Sequence, residues 1–302
     1  MKKFFAAILA LVMAMSLVAC GSNGGNAGDN TASDSSVTLT AIVAGLTEDS
    51  PSGQALKKFA ELTNQYSNGS VTIDCFFNTE LGNVAACVEG ATQGTIDIVS
   101  TGTSYFAGFV PAIQVFELPY IFNSYDEAHK TLDNEPGKAV ADMFEGSGLK
   151  MLCYWESGMR HVTNSRGPIV EPSDMKGLKI RTVVSPTQQA TWEAFGAIPM
   201  ALDMGEVFTA LQNHTVDAQE NTLSSITSYK MQEVQSYLSL TYHSYTPMPF
   251  FINAAKWDTL TADQQAALQK ASEECSRVER AGRGAVPEGA GGCRCSDRGQ
   301  PR

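Results

Sequence analysis

The chain has 302 residues, 43% of them hydrophobic and 18% charged, with a formal net charge of −11. That length suits two domains of ordinary size, and the composition is that of a globular protein with a substantial core. The acidic balance excludes a nucleic-acid surface, which needs clustered Lys and Arg to displace counterions.

Residues 1–20 hold Lys2 and Lys3, an apolar run from Phe4 to Met15, and the ending Leu17-Val18-Ala19-Cys20. This is the layout of an export signal, too short to span a membrane. The ending resembles a lipobox, which implies that Cys20 becomes a lipidated N-terminus; an ordinary signal peptide with an incidental cysteine is the alternative. Gly21 to Ser36, almost all Gly, Asn, Ser, Asp and Thr, reads as a flexible tether.

The folded part opens with an alternating strand, Val37 to Val43, and a loop through Thr47-Glu48-Asp49-Ser50-Pro51. A helix from Ser52 to Asn64, a strand from Val71 to Phe77, a helix from about Leu81 past Gly90 and a strand from Thr95 to Thr101 follow, ending in Gly102-Thr103-Ser104. The β-α-β-α-β alternation predicts one doubly wound sheet. A helix over Tyr125 to Ser147 leads to a strand over Leu149 to Trp155, which crosses into a second domain. It ends at Glu156-Ser157-Gly158-Met159-Arg160-His161, where Gly158 permits a sharp turn.

The stretch Asp174 to Asn221 repeats the alternation: a strand carrying Arg181, a helical turn ending at Gly196, a helix over Gly205 to Gln212 and a strand over Val216 to Asn221. Open α/β sheets bind ligands beyond the carboxyl ends of their strands, which puts Arg181 and Asn221 at a crevice. A helix over Ser224 to Gln235 and a return strand from Ser239 to His243 follow, and Phe250 to Asn253 crosses back. Asp258 to Glu274 is helical, with Thr261 and Gln264 at capping-box spacing. From Val37 to Ser276 the only arginines are Arg160, Arg166 and Arg181. One reading of this rarity is that the chain reserves the planar fork of Arg for carboxylates; codon usage that disfavours Arg is the other.

Several runs carry a resemblance: Asp174-Met175-Lys176-Gly177-Leu178-Lys179-Ile180-Arg181, Phe195-Gly196-Ala197-Ile198-Pro199-Met200, Glu206 to Gln212, and Val216-Asp217-Ala218-Gln219-Glu220-Asn221. Asn78 to Gly82, Gln93 to Asp97 and Val115 to Phe122 add to it. The chain resembles, over roughly Val37 to Ser276, the solute-binding proteins of tripartite ATP-independent periplasmic (TRAP) transporters, the DctP-like family. The resemblance implies an α/β, two-domain periplasmic-binding-protein-like fold, two open sheets with a ligand cleft between them. Domain I would take 37–158 plus 247–276, and domain II 159–246.

The resemblance further implies a monomeric, lipid-anchored extracytoplasmic receptor that needs no cofactor or metal. It would hand a small organic acid, C4-dicarboxylates among them, to TRAP membrane permease subunits. Arg181 would clamp the ligand carboxylate and Asn221 assist it. Arg160 is a second clamp candidate, with a surface arginine on a hairpin as the alternative. Loops near Thr47 and Thr103 would supply the facing wall. His243, Trp155 and Met204 are further candidates, each with a structural or packing role as its alternative reading. Another use of the fold is a sensory or adhesive lipoprotein.

The family usually has Gly where His214 and Ala218 stand; His tolerates a left-handed turn better than most residues. Downstream, six arginines and no lysine stand from Arg277 to Arg302, without apolar periodicity. The family would continue the last helix there, so residues 277–302 read as the product of a shifted reading frame that encodes no folded element, or else as a basic functional tail. Cys75 and Cys153, flanked by apolar residues, read as small hydrophobes, and a disulfide between them stays open. No Gly-x-Ser-x-Gly, His-Glu-x-x-His or phosphate loop is present, so nothing supports an enzyme.

Overall fold

The computed structural model describes residues 36–281 and the backbone of 294–296. The export signal, Cys20 and the tether up to residue 35 lie outside them, as do residues 282–293 and 297–302. The first lobe is built as the alternation predicts: β1 (Val37–Ala44), α1 (Pro51–Tyr66), β2 (Val71–Asn78), α2 (Val84–Gln93) and β3 (Ile98–Ser100). β1 lies between β2 and β3 and pairs with both in parallel. Ser50 caps α1 and Asn83 caps α2, each side chain accepting from a backbone N–H of the first turn.

Where one helix was predicted over Tyr125 to Ser147, two form: α3 (Tyr125–Asp133) and α4 (Glu135–Asp142). Pro136 has no N–H to give to the turn before it, so the chain stops and restarts there.

β4 (Leu149–Asn164) runs straight through the segment expected to turn. Gly158 instead sits at a register shift against its neighbour, at φ 109°, where a Cβ would lie 3.0 Å from the Tyr125 hydroxyl. Its glycine therefore serves a close approach within a strand, not a chain reversal.

The second lobe contains β5 (Lys179–Thr182), α5 (Pro186–Ala194), β6 (Ile198–Ala201), α6 (Met204–Gln212), β7 (Ala218–Thr222) and α7 (Leu223–Ser228). α7 is shorter than expected, and Met231–Glu233 is a separate 3-10 turn. β8 (Tyr237–Asn253) is one strand where two were predicted, paired antiparallel with β4 along both lobes. α8 (Ala254–Asp258), α9 (Ala262–Ala281) and β9 (Arg294–Ser296) complete the described residues.

The ladder runs β2-β1-β3-β8-β4-β7-β5-β6, with β9 beside β8. Two open α/β layers are thus joined through β4 and β8. Boundaries at 158/159 and 246/247 fall inside those strands. Phe250 and Phe251 point into opposite faces of the first lobe, one against Phe59 and Trp155, the other against Phe106 and Phe144. Smaller cores around Val207 and Leu211, and around Ile180 and Trp192, hold the second lobe.

The expectation that nothing after Ser276 folds is corrected for residues 277–281, which continue α9. Glu279 is buried there and accepts from Ser52 Oγ at 2.5 Å and from the Glu156 N–H at 3.0 Å. Arg280 pairs with Asp133 through Nη1 at 2.7 Å and donates to the Tyr154 carbonyl. These contacts are polar, while Val278 is exposed, so a search for apolar periodicity passes over them. Thr261 and Gln264 form the predicted capping box, each side chain reaching the other's N–H.

Cys75, Cys87, Cys153 and Cys275 are free thiols, so no disulfide joins Cys75 to Cys153. Burial pushes the Cys75 thiol up to about 11. Among the described residues no helix is long and apolar enough to cross a membrane.

His214 adopts φ 56°, the left-handed conformation. A side chain there costs roughly 1–2 kcal/mol, against which a glycine loses roughly 0.5–1 kcal/mol of chain entropy on folding. His214→Gly is therefore expected to raise the urea midpoint slightly with an unchanged m value.

Candidate functional site

Register places the central side chains. Arg181 on β5 pairs with Gln219 on β7, so the two share a face, and Asn221 lies two residues farther along that face. The Arg181 side chain reaches past the end of β6, where the Leu202 carbonyl accepts from Nε at 2.9 Å and Nη2 at 2.7 Å. This contact fixes the plane of the guanidinium. The residue is 0% exposed, and among the described residues Nη1 has no hydrogen-bond partner. Among the described residues no carboxylate lies within ion-pair distance of it. Burial lowers its affinity for the proton, opposed by the nearby Tyr105 hydroxyl and by Glu220. An isolated buried cation is costly to hold without an anion.

Arg160, on β4, is held differently. Its Nε donates to Glu220 Oε2 at 2.5 Å and its Nη2 to Oε1 at 2.8 Å, a bidentate pair, while Nη1 donates to Thr246 Oγ1 at 3.0 Å. Burial alone would raise the Glu220 carboxyl, but Arg160 and the His243 hydrogen bond hold it down to about 2. The hairpin-surface reading of Arg160 is thereby corrected: it is buried and ion-paired.

A cavity of about 70 Å³ lies between the lobes. Arg181, Asn221 and Met204 line it from the second lobe, and Arg160, Ser157 and Thr246 from the connecting strands. Leu46, Val84, Thr101 and Tyr105 line it from the first lobe. Among the described residues Asn221 Nδ2 has only the Met204 sulfur at 3.7 Å as acceptor, so a better one would displace it.

Four expected wall residues are elsewhere. Trp155 is fully buried in the first lobe, stacked on Phe250 at 4.1 Å. His243 is buried against Trp192 and bonds Glu220 and Thr241, so it positions the Arg160 partner behind the wall. Thr103 is 0% exposed, its side chain against Glu117 of the first lobe. Thr47 is spent on the turn before α1, its carbonyl accepting from Ser50 N and Oγ. The neighbours of these two, Leu46, Gly102 and Ser104, form the wall instead.

Sequence reasoning missed Tyr105, Thr101 and Thr246, for which no local signal exists, and Glu220. Alternation along β7 does signal Glu220, since residue 220 shares the face of Thr222, the register partner of Arg160. Among the described residues, the hydrogen bonds that cross between the lobes include Tyr229 Oη to Asn78 Oδ1 at 2.5 Å, Thr187 Oγ1 to Gln114 Oε1 at 2.8 Å, Ser185 Oγ to Glu117 Oε2 at 3.2 Å and the Tyr120 N–H to the His243 carbonyl at 2.9 Å.

Residues 42–282 match the family model described as bacterial extracellular solute-binding protein, family 7 (DctP). The 2,3-diketo-L-gulonate-binding periplasmic protein YiaO of Escherichia coli K12 is 42% identical over 226 residues, 75% of this chain and 69% of that protein. A TRAP periplasmic solute-binding protein from Polaromonas sp. JS666, solved with D-erythronate, superposes with TM-score 0.78 at 32% identity, covering 81% of this chain and 80% of the other. Another from Sulfurospirillum deleyianum, solved with succinate, gives TM-score 0.77 at 30% identity, covering 82% of this chain and 79% of the other. With a family match spanning most of its length, this chain belongs to the DctP family of extracellular solute-binding proteins, the binding components of TRAP transporters.

Proposed function

We propose that this chain is an extracytoplasmic receptor that captures a small carboxylate in the interlobe cavity and delivers it to TRAP membrane subunits. The observation that carries the reading is Arg181, a buried guanidinium on the cavity wall that, among the described residues, has no carboxylate partner and no acceptor for Nη1. A ligand carboxylate would supply the missing anion, accepting from Arg181 side-on and from Asn221 Nδ2. The relatives solved with D-erythronate and with succinate make both sugar acids and C4-dicarboxylates reasonable ligand classes to test. Lipidation at Cys20 would hold the receptor at the membrane. The test is a thermal-shift screen of the purified protein against organic acids and neutral sugars. Stabilisation by acids alone supports the proposal; stabilisation by neutral sugars, with every acid silent, refutes it.

Because ligand would touch both lobes, it favours the closed arrangement over an open one. The Tyr229 to Asn78 bond belongs to that closed form. Tyr229→Phe removes a hydrogen bond worth about 0.5–1.5 kcal/mol and is expected to weaken acid binding by about 3- to 10-fold. Titration calorimetry reads the affinity, and small-angle scattering reads a more open free protein.

A further inference from the structure

Resting on the receptor reading above, the charges on the cavity wall narrow the class of acid. Among the described residues two cations line the cavity, Arg160 and Arg181, and its other lining residues are uncharged. Arg160 is already neutralised. Four of its hydrogen bonds are spent inside the protein, three on Glu220 and one on Thr246. One guanidinium charge is therefore left for the ligand.

The rest of the polar wall is neutral and rich in hydroxyls. Thr101 is 4% exposed, and among the described residues its side chain makes no hydrogen bond. The Thr246 hydroxyl accepts from Arg160, which leaves its own proton to donate. Ser157 and Ser225 line the same wall, each hydroxyl already hydrogen-bonded to Thr222 Oγ1. Leu46, Val84 and Met248 provide an apolar strip on which carbon can lie.

From this inventory we propose that the ligand is a monoanionic polyhydroxy acid, one carboxylate on Arg181 and a hydroxylated chain along the Thr and Ser side chains, and that dicarboxylates are discriminated against. A second carboxylate would lose its water among neutral hydroxyls with no cation to meet it, which is the expensive case for a buried charge. Hydroxyls on the ligand exchange hydrogen bonds with the wall and leave its donors satisfied.

The test uses matched ligands on the unmodified protein by titration calorimetry: threonate, tartrate, the half-amide of tartrate, butyrate and threitol, with gluconate and glucarate as the six-carbon pair. Threonate and tartrate share a four-carbon dihydroxy skeleton and differ at one end by CH2OH against COO−. The aldonate of at least one pair is expected to bind about 100-fold more tightly than its diacid, a discrimination of the size that unmatched buried polar groups produce. The half-amide, which keeps the shape of tartrate and drops the second charge, is expected to bind within about tenfold of threonate, and butyrate at least about tenfold more weakly than threonate.

A diacid that binds as tightly as its aldonate overturns the inference and leaves the receptor reading standing. So does a half-amide as weak as tartrate, because shape would then be the cause. Butyrate equal to threonate removes the hydroxyl half of the proposal. Silence from every acid, or threitol binding as tightly as threonate, overturns the receptor reading as well.

Discussion

Arg181→Ala is expected to lower affinity for the carboxylate ligand by about 100- to 10,000-fold, two charge-assisted hydrogen bonds being worth about 1.5–3 kcal/mol each. The free protein is expected to change far less. Arg181 is desolvated in it and, among the described residues, has no carboxylate partner and donates to the Leu202 carbonyl beside the Tyr105 hydroxyl, so its removal takes away an uncompensated charge along with two hydrogen bonds. These effects oppose each other. A differential scan without ligand should therefore show a midpoint within a few degrees of the parent, while the ligand-induced rise disappears. Arg181→Lys sharpens the test. It keeps a cation but loses the planar fork that Leu202 orients, and is expected to recover only part of the affinity. A free-protein midpoint that collapses in Arg181→Ala would mean that the arginine is a structural member; unchanged affinity would remove it from the site.

How far the residues themselves foretold this site depends on the range of the signal. The β-α alternation of the first lobe, the left-handed turn at His214 and the Thr261 capping box are local, and each was legible. The shared face of Arg181 and Asn221 follows from two strands read as neighbours. The long strands were not legible. Gly158 in β4 and Pro247 and Pro249 in β8 look like breaks, yet β4 and β8 stay paired across those positions, with Glu156 opposite Pro247 and Tyr154 opposite Pro249. Proline lacks a ladder donor, so pairing at these positions rests on tertiary context that a local reading does not contain. The first-lobe wall was located to within a residue or two, at Thr47 and Thr103, but the loop geometry turns their neighbours inward. The pairing of Arg160 with Glu220 spans 60 residues, and only a known register exposes it.

Glu220→Ala carries the largest expected loss of stability. Its carboxylate is fully buried and takes two donors from Arg160 and one contact from His243. Without it a buried guanidinium keeps, among the described residues, only the Thr246 hydroxyl and the residue 220 carbonyl as acceptors. Breaking one side of a buried pair costs about 3–5 kcal/mol. In a domain of this size that lowers the melting midpoint by about 6–20 °C.

The acid limb gives a second reading of the same residue. Its carboxyl is held down to about 2 from an ordinary value of 4.5, so between those values the unfolded chain binds a proton that the folded protein does not. Stability from this group is complete above about pH 4.5 and is lost as pH falls through about 2, so stability rises with pH in that window. Glu220→Gln cannot titrate and should lack this share of the slope. His161, held down to about 3 by burial, His243 and Arg160, also loses stability on acidification, but it is present in both proteins. His243, held down by burial and raised by its Glu220 partner, would fall further in Glu220→Gln and oppose the effect. In a His243→Asn background, which removes that titration, the difference between the Glu220 and Glu220→Gln urea midpoints, followed from pH 7 to pH 3, should stay level down to about pH 4.5 and narrow below it. A gap that stays constant to pH 3 would show that Glu220 does not carry its charge into the fold, and would leave Arg160 free to meet a ligand.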